Sequence, residues 1–418
     1  MTKTESTIEA EKPKGSSNPA SASPGPGRQL FNFFTSLRLT VVFLFLAVLL
    51  VFIGTLAQVE EGLYAAQHRY FRSLFIWWQP GGGPFKLPVF PGGYLIGGVL
   101  LVNLICAYTK RFQLSKKKIG LLTIHSGLVL LLVGQFATDL LQVESAMQLF
   151  EGDTKGYSED FRANELVLID KSSSAEKDRV YSVPDSLLKH HGDIRDAQLP
   201  FTLRVKTLWE NAGLVEPGTN NPPMAIPSGA TAGTLRDILV IPMPLVKDMD
   251  SRNMPGGLIE VLDGDTSLGS FLVSSLLSKP ESFSVKGKQY EIGMRFKRYY
   301  YPFNITLLKA THETYKGRPD IPKNFASRVR VEYPAKKEAR ETVIYMNNPL
   351  RYEGLTFFQY QMSAGDFADR QGQKPSSTFQ VVRNPSWLTP YLSCVIIATG
   401  LIIQFMMHLV GFVRKRNA

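Results

Sequence analysis

The chain has 418 residues, 44% hydrophobic and 20% charged, with a formal net charge of +11. Those averages suit a globular protein, but the apolar residues are bunched. Four runs reach or approach the ~20 residues that cross a bilayer: Leu39–Ala57, Gly93–Tyr108, Ile119–Leu141 and Leu388–Val413. A purely soluble enzyme is thereby excluded. A many-span transporter is excluded too, because 142–387 contains no spanning run. That stretch carries 31 Lys and Arg against 30 Asp and Glu. The basic excess sits instead in 1–38 (Lys3, Lys12, Lys14, Arg28, Arg38), in 109–118 (Lys110, Arg111, Lys116, Lys117, Lys118) and in Arg414, Lys415 and Arg416. If four helices cross in order, these segments share one side, which the positive-inside rule makes the cytoplasm. The charge therefore reads as topology and not as nucleic-acid binding.

In chain order, residues 1–29 are rich in Ser, Pro, Gly, Lys and Glu and read as a disordered cytoplasmic tail. Residues 36–141 form a three-helix membrane region. The first span lacks a cleavage site and reads as an uncleaved anchor. An outside loop follows over 58–92, with Trp77, Trp78 and a Gly-Gly-Gly-Pro break. The second span is short, so Lys110 and Arg111 are expected to snorkel. Residues 142–387 alternate apolar and polar over short stretches and read as an extracytoplasmic, mostly β domain. Expected strands are Glu165–Ile169, Thr202–Thr207, Leu258–Leu262, Gln289–Met294, Ile305–Leu308, Arg328–Glu332, Thr342–Tyr345, Leu355–Tyr360 and Thr378–Val382, in a sandwich or barrel. Residues 211–257 read as a long loop containing the turn cluster 217–223. Residues 388–413 return the chain as a fourth helix, and 414–418 form a basic cytoplasmic tail. The expected fold is thus an integral membrane protein of four transmembrane α-helices, with the β-rich domain inserted between helices 3 and 4.

Chemistry-bearing residues are few. The two cysteines, Cys106 and Cys394, lie inside spans, and no C-x-x-C is present, which argues against thiol–disulfide exchange by this chain. There is no phosphate loop, G-x-S-x-G or H-E-x-x-H. His125 lies inside the third span, ~9 Å from its cytoplasmic end. An ionisable residue there is costly and so a candidate for function, as an axial haem ligand or a proton relay. The alternative is a histidine bonded to a neighbouring helix through Ser126 or Thr123. His408 lies in the fourth span at a similar depth and is a second candidate ligand, or a histidine that snorkels to the headgroups. His190 and His191 read as solvated, His312 as a surface histidine, and His68 as a loop residue near the outer face. Trp77, Trp78 and Trp387 fit an interfacial aromatic belt. Asp139 is expected to reach water at the outer end of its span. Gly120, Gly127 and Gly134 recur every seven residues and favour close packing on another helix.

Several stretches resemble the ResB-like proteins of System II cytochrome c biogenesis. The first span runs into Ile53-Gly54-Thr55-Leu56-Ala57-Gln58, similar to that family's start. Thr123-Ile124-His125-Ser126-Gly127-Leu128 resembles its histidine-bearing span. Residues 321–329 (IPKNFASRV) resemble its P-x-N/D-[FY]-x-S segment. Residues 345–359 (YMNNPLRYEGLTFFQ) resemble its N-x-P-L-x-Y-x-G-x-x-F-[FY]-Q stretch, the most specific match of the set. The layout of three spans, a large outside domain and a final span is also similar, and the resemblance covers roughly 36–413.

The resemblance implies work with a ResC-like partner that carries a tryptophan-rich segment, which Trp77-Trp78-Gln79 does not match. With no fused ResC-like half visible, the chain is expected to be one subunit. The pair would move haem b outward, with transient histidine ligation. The haem would then be joined to the C-x-x-C-H cysteines of apocytochromes c. His125 corresponds to the intramembrane ligand candidate, the other axial ligand being expected from the partner, and Lys116–Lys118 would attract the propionates. The chain would be an accessory subunit of a haem lyase in the cell inner membrane, in contact with lipid and with both termini cytoplasmic. The competing reading is a membrane-anchored scaffold whose β domain binds a protein and no haem. A solute or ion carrier is disfavoured, since no inverted repeat is visible.

Overall fold

The computed structural model describes residues 25–79, 85–111, 118–172, 178–218, 221–248, 251–315, 318–364, 372 and 374–417. Helix α1 spans Pro26–Phe34 and α2 Leu37–Glu61. A short helix α3 (Leu63–Ala66) runs into a π-helical turn, Gln67–Phe71. Strands β1 (Phe75–Trp78) and β2 (Leu87–Pro91) form a separate hairpin. Helix α4 spans Gly93–Arg111 and α5 Ile119–Leu141. The expected tail therefore ends early: residues 26–29 belong to α1, while 1–24 lie outside the described residues. Pro26 at the first helical turn presets φ, and Leu30, Phe31, Phe33 and Phe34 give the segment an apolar content that a solvated tail lacks.

Among the described residues, four helices are long and apolar enough to cross a membrane: 37–61, 93–110, 119–141 and 389–416. Little of their surface is buried within the chain. On α2, Val41, Phe45, Val48 and Phe52 are each about 60% or more exposed. Apolar surface on that scale is stable only against lipid or another protein, and the chain reads as a membrane protein. Helix α2 ends at Gly62, whose φ of +80° favours glycine. A Cβ there would lie 2.6 Å from the Lys247 carbonyl oxygen, so this corner fits against the β-rich part only without a side chain.

The strands between α5 and the last helix begin with β3 (Val143–Phe150), β4 (Thr154–Asp170) and β5 (Arg179–Pro184). A short helix α6 (Asp185–Leu188) precedes β6 (Asp193–Ile194), β7 (Thr202–Trp209), β8 (Ala212–Val215), β9 (Ile226–Pro227), β10 (Leu239–Pro242), β11 (Gly256–Asp263) and β12 (Thr266–Ser274). Then come β13 (Glu281–Val285), β14 (Lys288–Tyr315), β15 (Arg318–Tyr333), β16 (Glu338–Tyr345), β17 (Leu350–Tyr352), β18 (Leu355–Ser363) and β19 (Ser376–Arg383). Helix α7 (Thr389–Arg416) closes the chain. Ten strands form one sheet in the order β16-β15-β14-β4-β3-β19-β18-β17, with β13 on β14 and β5 on β4; β12-β11-β7-β6 form a second sheet.

Each expected strand falls inside one of these. Gln289–Met294 and Ile305–Leu308 turn out to be parts of one strand, β14, with a register break between Tyr300 and Ile305. The two halves of β14 serve two cores. Ile292 and Met294 pack with Leu166, Leu203, Ile259 and Phe283 between the two sheets. Phe303, Ile305 and Leu307 pack with Val329, Ile344, Phe357 and Phe379 inside the curled large sheet. The expected loop over 211–257 instead contains a third sheet, β8-β10-β9, around buried Val240. Its strands are too short for alternation to register in the sequence.

Candidate functional site

Helices α5 and α7 pack antiparallel along a glycine seam. A Cβ at Gly120 would meet Gln404, at Gly127 Ile397 and at Gly134 Thr389; one at Gly400 would meet Ile124. The seam expected from the seven-residue spacing is therefore used by α7. His125 lies ~140° around α5 from Gly120, away from that seam. Its Nδ1 lies 2.8 Å from the Leu121 carbonyl oxygen. A carbonyl only accepts, so Nδ1 carries a proton, and in the neutral form of the ring the lone pair is on Nε2. Among the described residues Nε2 has no hydrogen-bond partner. A histidine whose second nitrogen is tied to a backbone carbonyl is oriented as metal-bound histidines are.

His408 is placed differently. The seam register sets His125 level with about Thr399, leaving His408 ~13 Å farther along the axis. Its Nε2 accepts from the Gln404 amide nitrogen at 2.8 Å, which occupies the lone pair. It lies on α7 near the seam and not on His125's flank. In this structure the two imidazoles lie at different levels and on different faces of the helix pair. Within the described residues the chain offers one free intramembrane imidazole nitrogen, so a six-coordinate iron would need a ligand from elsewhere.

The face of α5 that bears His125 also bears Leu132 and Asp139, at seven-residue steps. Opposite lies α4. The two helices touch at their ends, through Tyr108 Oη and Ser126 Oγ (3.2 Å) and through Tyr94, which donates to Asp139 and sets its ring edge-on to Phe136. Between these contacts Gly97 and Gly98 have no atom within 4 Å of where a Cβ would stand. The result is a mainly apolar cavity of about 890 Å³ that reaches Leu101, Val102 and Leu132. The end of the cavity nearer the β-rich part is lined by Arg72, whose Nε lies 2.9 Å from Asp139 Oδ1. Asp139 does not simply reach water, as expected: its side chain is only 15% exposed and held by Arg72 and Tyr94. Gln67, Arg72, Gln135 and Asp139 also line a polar cleft of about 620 Å³ shared with Glu144, Asp160, Arg162, Tyr360 and Gln380 of the β-rich part. Arg162 stacks on Tyr64 at 3.5 Å, joining the two regions.

The remaining candidates separate from this site. Lys110 Nζ donates to Asn32 Oδ1 at 2.8 Å and to Thr35 Oγ1 at 3.1 Å on the first helix and its cap. Lys116 and Lys117 lie outside the described residues. His68 is exposed beside Tyr64, and His190 and His191 are exposed in a turn. His312 is not a surface histidine, since its ring lies 4.6 Å from Phe325 and its Nε2 is buried without a partner. Among the described residues no group of His, Cys, Asp and Glu is arranged to hold a metal ion. Arg72 and Tyr94 were not evident as site residues, because nothing local in the sequence marks their meeting at Asp139.

The two β-domain segments singled out in the sequence meet. Ser327 Oγ donates to Gln359 Oε1 at 2.7 Å, Gln359 Nε2 donates to Ser377 Oγ at 2.9 Å, and the serine hydroxyls lie 2.8 Å apart. In the 345–359 stretch, Leu350, Tyr352, Leu355 and Phe357 are buried, and Gly354 turns β17 into β18 at φ +74°. Both segments thus specify the core of the curled sheet. Residues 266–373 match the ResB-like family. That match runs from β12 past β18, includes both segments, and points the chain to cytochrome c biogenesis. No curated protein matches it.

Proposed function

We propose that this chain is the haem-handling membrane subunit of a System II cytochrome c synthetase. With a ResC-like partner it would carry haem b from the cytoplasmic to the outer side of the inner membrane and present it to C-x-x-C-H apocytochromes c. The observation that carries the reading is the Nδ1 contact of His125 with the Leu121 carbonyl, which leaves Nε2 without a hydrogen-bond partner among the described residues. Haem is the cargo, and its reduced iron is what thioether formation requires when it is bound. His125 holds that iron from one side. The Leu121 carbonyl holds the imidazole in orientation through Nδ1. The partner supplies the opposite ligand, which accounts for His408 being turned to Gln404. The lysines of the 116–118 run would attract the propionates. The β-rich domain, packed over the α3 corner through Arg162 and Tyr64, faces the apocytochrome.

The test is the Soret spectrum and haem stain of the complex purified from detergent with its partner, wild type against His125→Ala. Haem present in wild type, lost in the variant and restored by imidazole supports the reading. Equal haem in both overturns the ligand assignment. One observation favours a second reading, a scaffold without haem of its own: the most specific family-like segments build the β core. An intact complex free of haem in both proteins would favour it.

A further inference from the structure

We propose that the β1–β2 hairpin is a lipid-binding element, which lays its open aromatic face into the boundary between phospholipid headgroups and acyl chains beside α2 and α4. This holds whether or not the chain handles haem.

Two rulers set the level of the hairpin. The first is its contact with α2. A Cβ at Gly54 would stand 3.5 Å from Tyr70 Cβ and 2.7 Å from Phe71 Cζ, so the π-helical turn runs beside Gly54. Gly54 lies seven residues, ~10 Å, before the end of α2. At that level Val51 and Phe52 of α2 are exposed apolar side chains. The turn in turn abuts the start of α4. A Cβ at Gly93 would run into the Phe71 carbonyl oxygen, and the Gly92 and Tyr94 amides donate to the Leu74 and Ser73 carbonyls at 2.9 and 3.2 Å. The hairpin therefore springs from the apolar part of α2 and not from beyond its end. The second ruler is α4 itself. Its apolar stretch, 93–110, has 18 residues and rises ~27 Å, against a hydrocarbon core of about 30 Å. It crosses only if Gly93 stands at the edge of that core. Both rulers put the base of the hairpin at the lipid boundary.

The hairpin is covered on one side only. Ile76 and Phe90 are paired across the strands and pack with Leu50 and Ile96 of the helices. The register shifts after Ile76, and beyond it Trp77, Trp78, Phe85, Leu87 and Val89 are each 40% or more exposed. A two-stranded hairpin has little stability of its own in water, and this open face is continuous with the apolar surface of α2 that lipid covers. Its chemistry selects the boundary over the acyl interior. Among the described residues β1 and β2 pair only with each other, so their outer backbone groups are costly in hydrocarbon and need water or headgroups. Neither indole N–H has a hydrogen-bond partner among the described residues, and ester and phosphate oxygens supply acceptors. Exposed Lys86, next to Phe85, suits a phosphate.

The test is tryptophan quenching in the full chain, reconstituted at one copy per disc into phosphatidylcholine nanodiscs. The chain has four tryptophans, and Trp209→Phe with Trp387→Phe leaves Trp77 and Trp78 as reporters. Phosphatidylcholine brominated near the ester end of its acyl chains should remove most of their fluorescence. The same lipid brominated near the chain ends should remove less, and aqueous iodide little. Their emission should lie to the blue of hydrated indole. A chain that keeps only Trp209, in the β-rich part, should lose nothing to either lipid. Emission at the hydrated-indole wavelength, quenched by iodide and not by brominated lipid, overturns the proposal. Blue emission that no brominated lipid quenches overturns it too, since protein then covers the face. Stronger quenching by the deep bromines removes the boundary placement. If the Trp209 substitution unfolds the chain, the wild type against Trp77→Phe with Trp78→Phe reads the same quantity. The lipid-quenched fraction should then fall, and an unchanged fraction overturns the proposal.

Discussion

The α5–α7 seam should tolerate no side chain at Gly127, whereas the α4 wall should accept one at Gly98. A methyl group at Gly127 would stand 2.6 Å from Ile397 Cγ1 and 3.1 Å from both Ile397 N and Ser393 O. Two of those three atoms are backbone, so relief requires the helices to separate. Overpacking of this kind costs about 1–3 kcal/mol, against about 1 kcal/mol gained by Ala over Gly within a helix. Gly98 has nothing within 4 Å, so only the gain applies. Gly98→Ala should therefore be more stable than Gly127→Ala by about 2 kcal/mol. Because apolar side chains gain little by leaving lipid for one another, close backbone approach is the main attraction between these helices. Gly127→Val should weaken it further. The assay is denaturant unfolding of the detergent-solubilised protein followed by far-ultraviolet circular dichroism. Gly127→Ala at least as stable as Gly98→Ala would refute the seam argument.

Asn103→Ala should cost about 1–3 kcal/mol, because buried Asn103 donates to the Phe34 and Ser36 carbonyls at 2.6 and 3.2 Å and accepts from Thr40 at 2.7 Å. Limited proteolysis should show cleavage between α1 and α2 first. Glu165→Ala should cost about 3 kcal/mol in the same unfolding assay, since it strands Arg295, now 2.8 Å from a carboxylate whose side chain is 8% exposed. Desolvation, and then its hydrogen bond to Glu338, push the Tyr352 hydroxyl up to about 12. A folded pKa above the unfolded one means that its stabilisation is complete below about pH 10 and is lost as pH rises toward 12. Tyr352→Phe should flatten the alkaline fall of the unfolding midpoint over that window, and an unchanged slope would remove Tyr352 as its source.

The membrane helices were legible because their cause is local: an unbroken apolar run satisfies its own backbone in lipid. Ile119–Leu141 has the bounds read from the sequence, and the glycine spacing correctly announced a packed face. The strand expectations succeeded wherever one face is buried, as at Leu258–Leu262 and Arg328–Glu332, and failed for β8–β10, where two- and four-residue strands give no period to read. His125 was visible as a costly intramembrane ionisable group. What the sequence could not say was which nitrogen is free, since that depends on the Leu121 carbonyl one turn away. Nor could it tell that His408 turns to Gln404 on another part of the bundle, because depth in a helix says nothing of direction around the pair. Arg72, Tyr94 and Asp139 lie on three separate segments, so only helix packing brings a cation, a hydroxyl and a carboxylate to one groove mouth. Hydropathy and periodicity thus marked which segments are long and apolar enough to cross a membrane and which form strands, while the relative rotation and register of the helices decided which side chains meet.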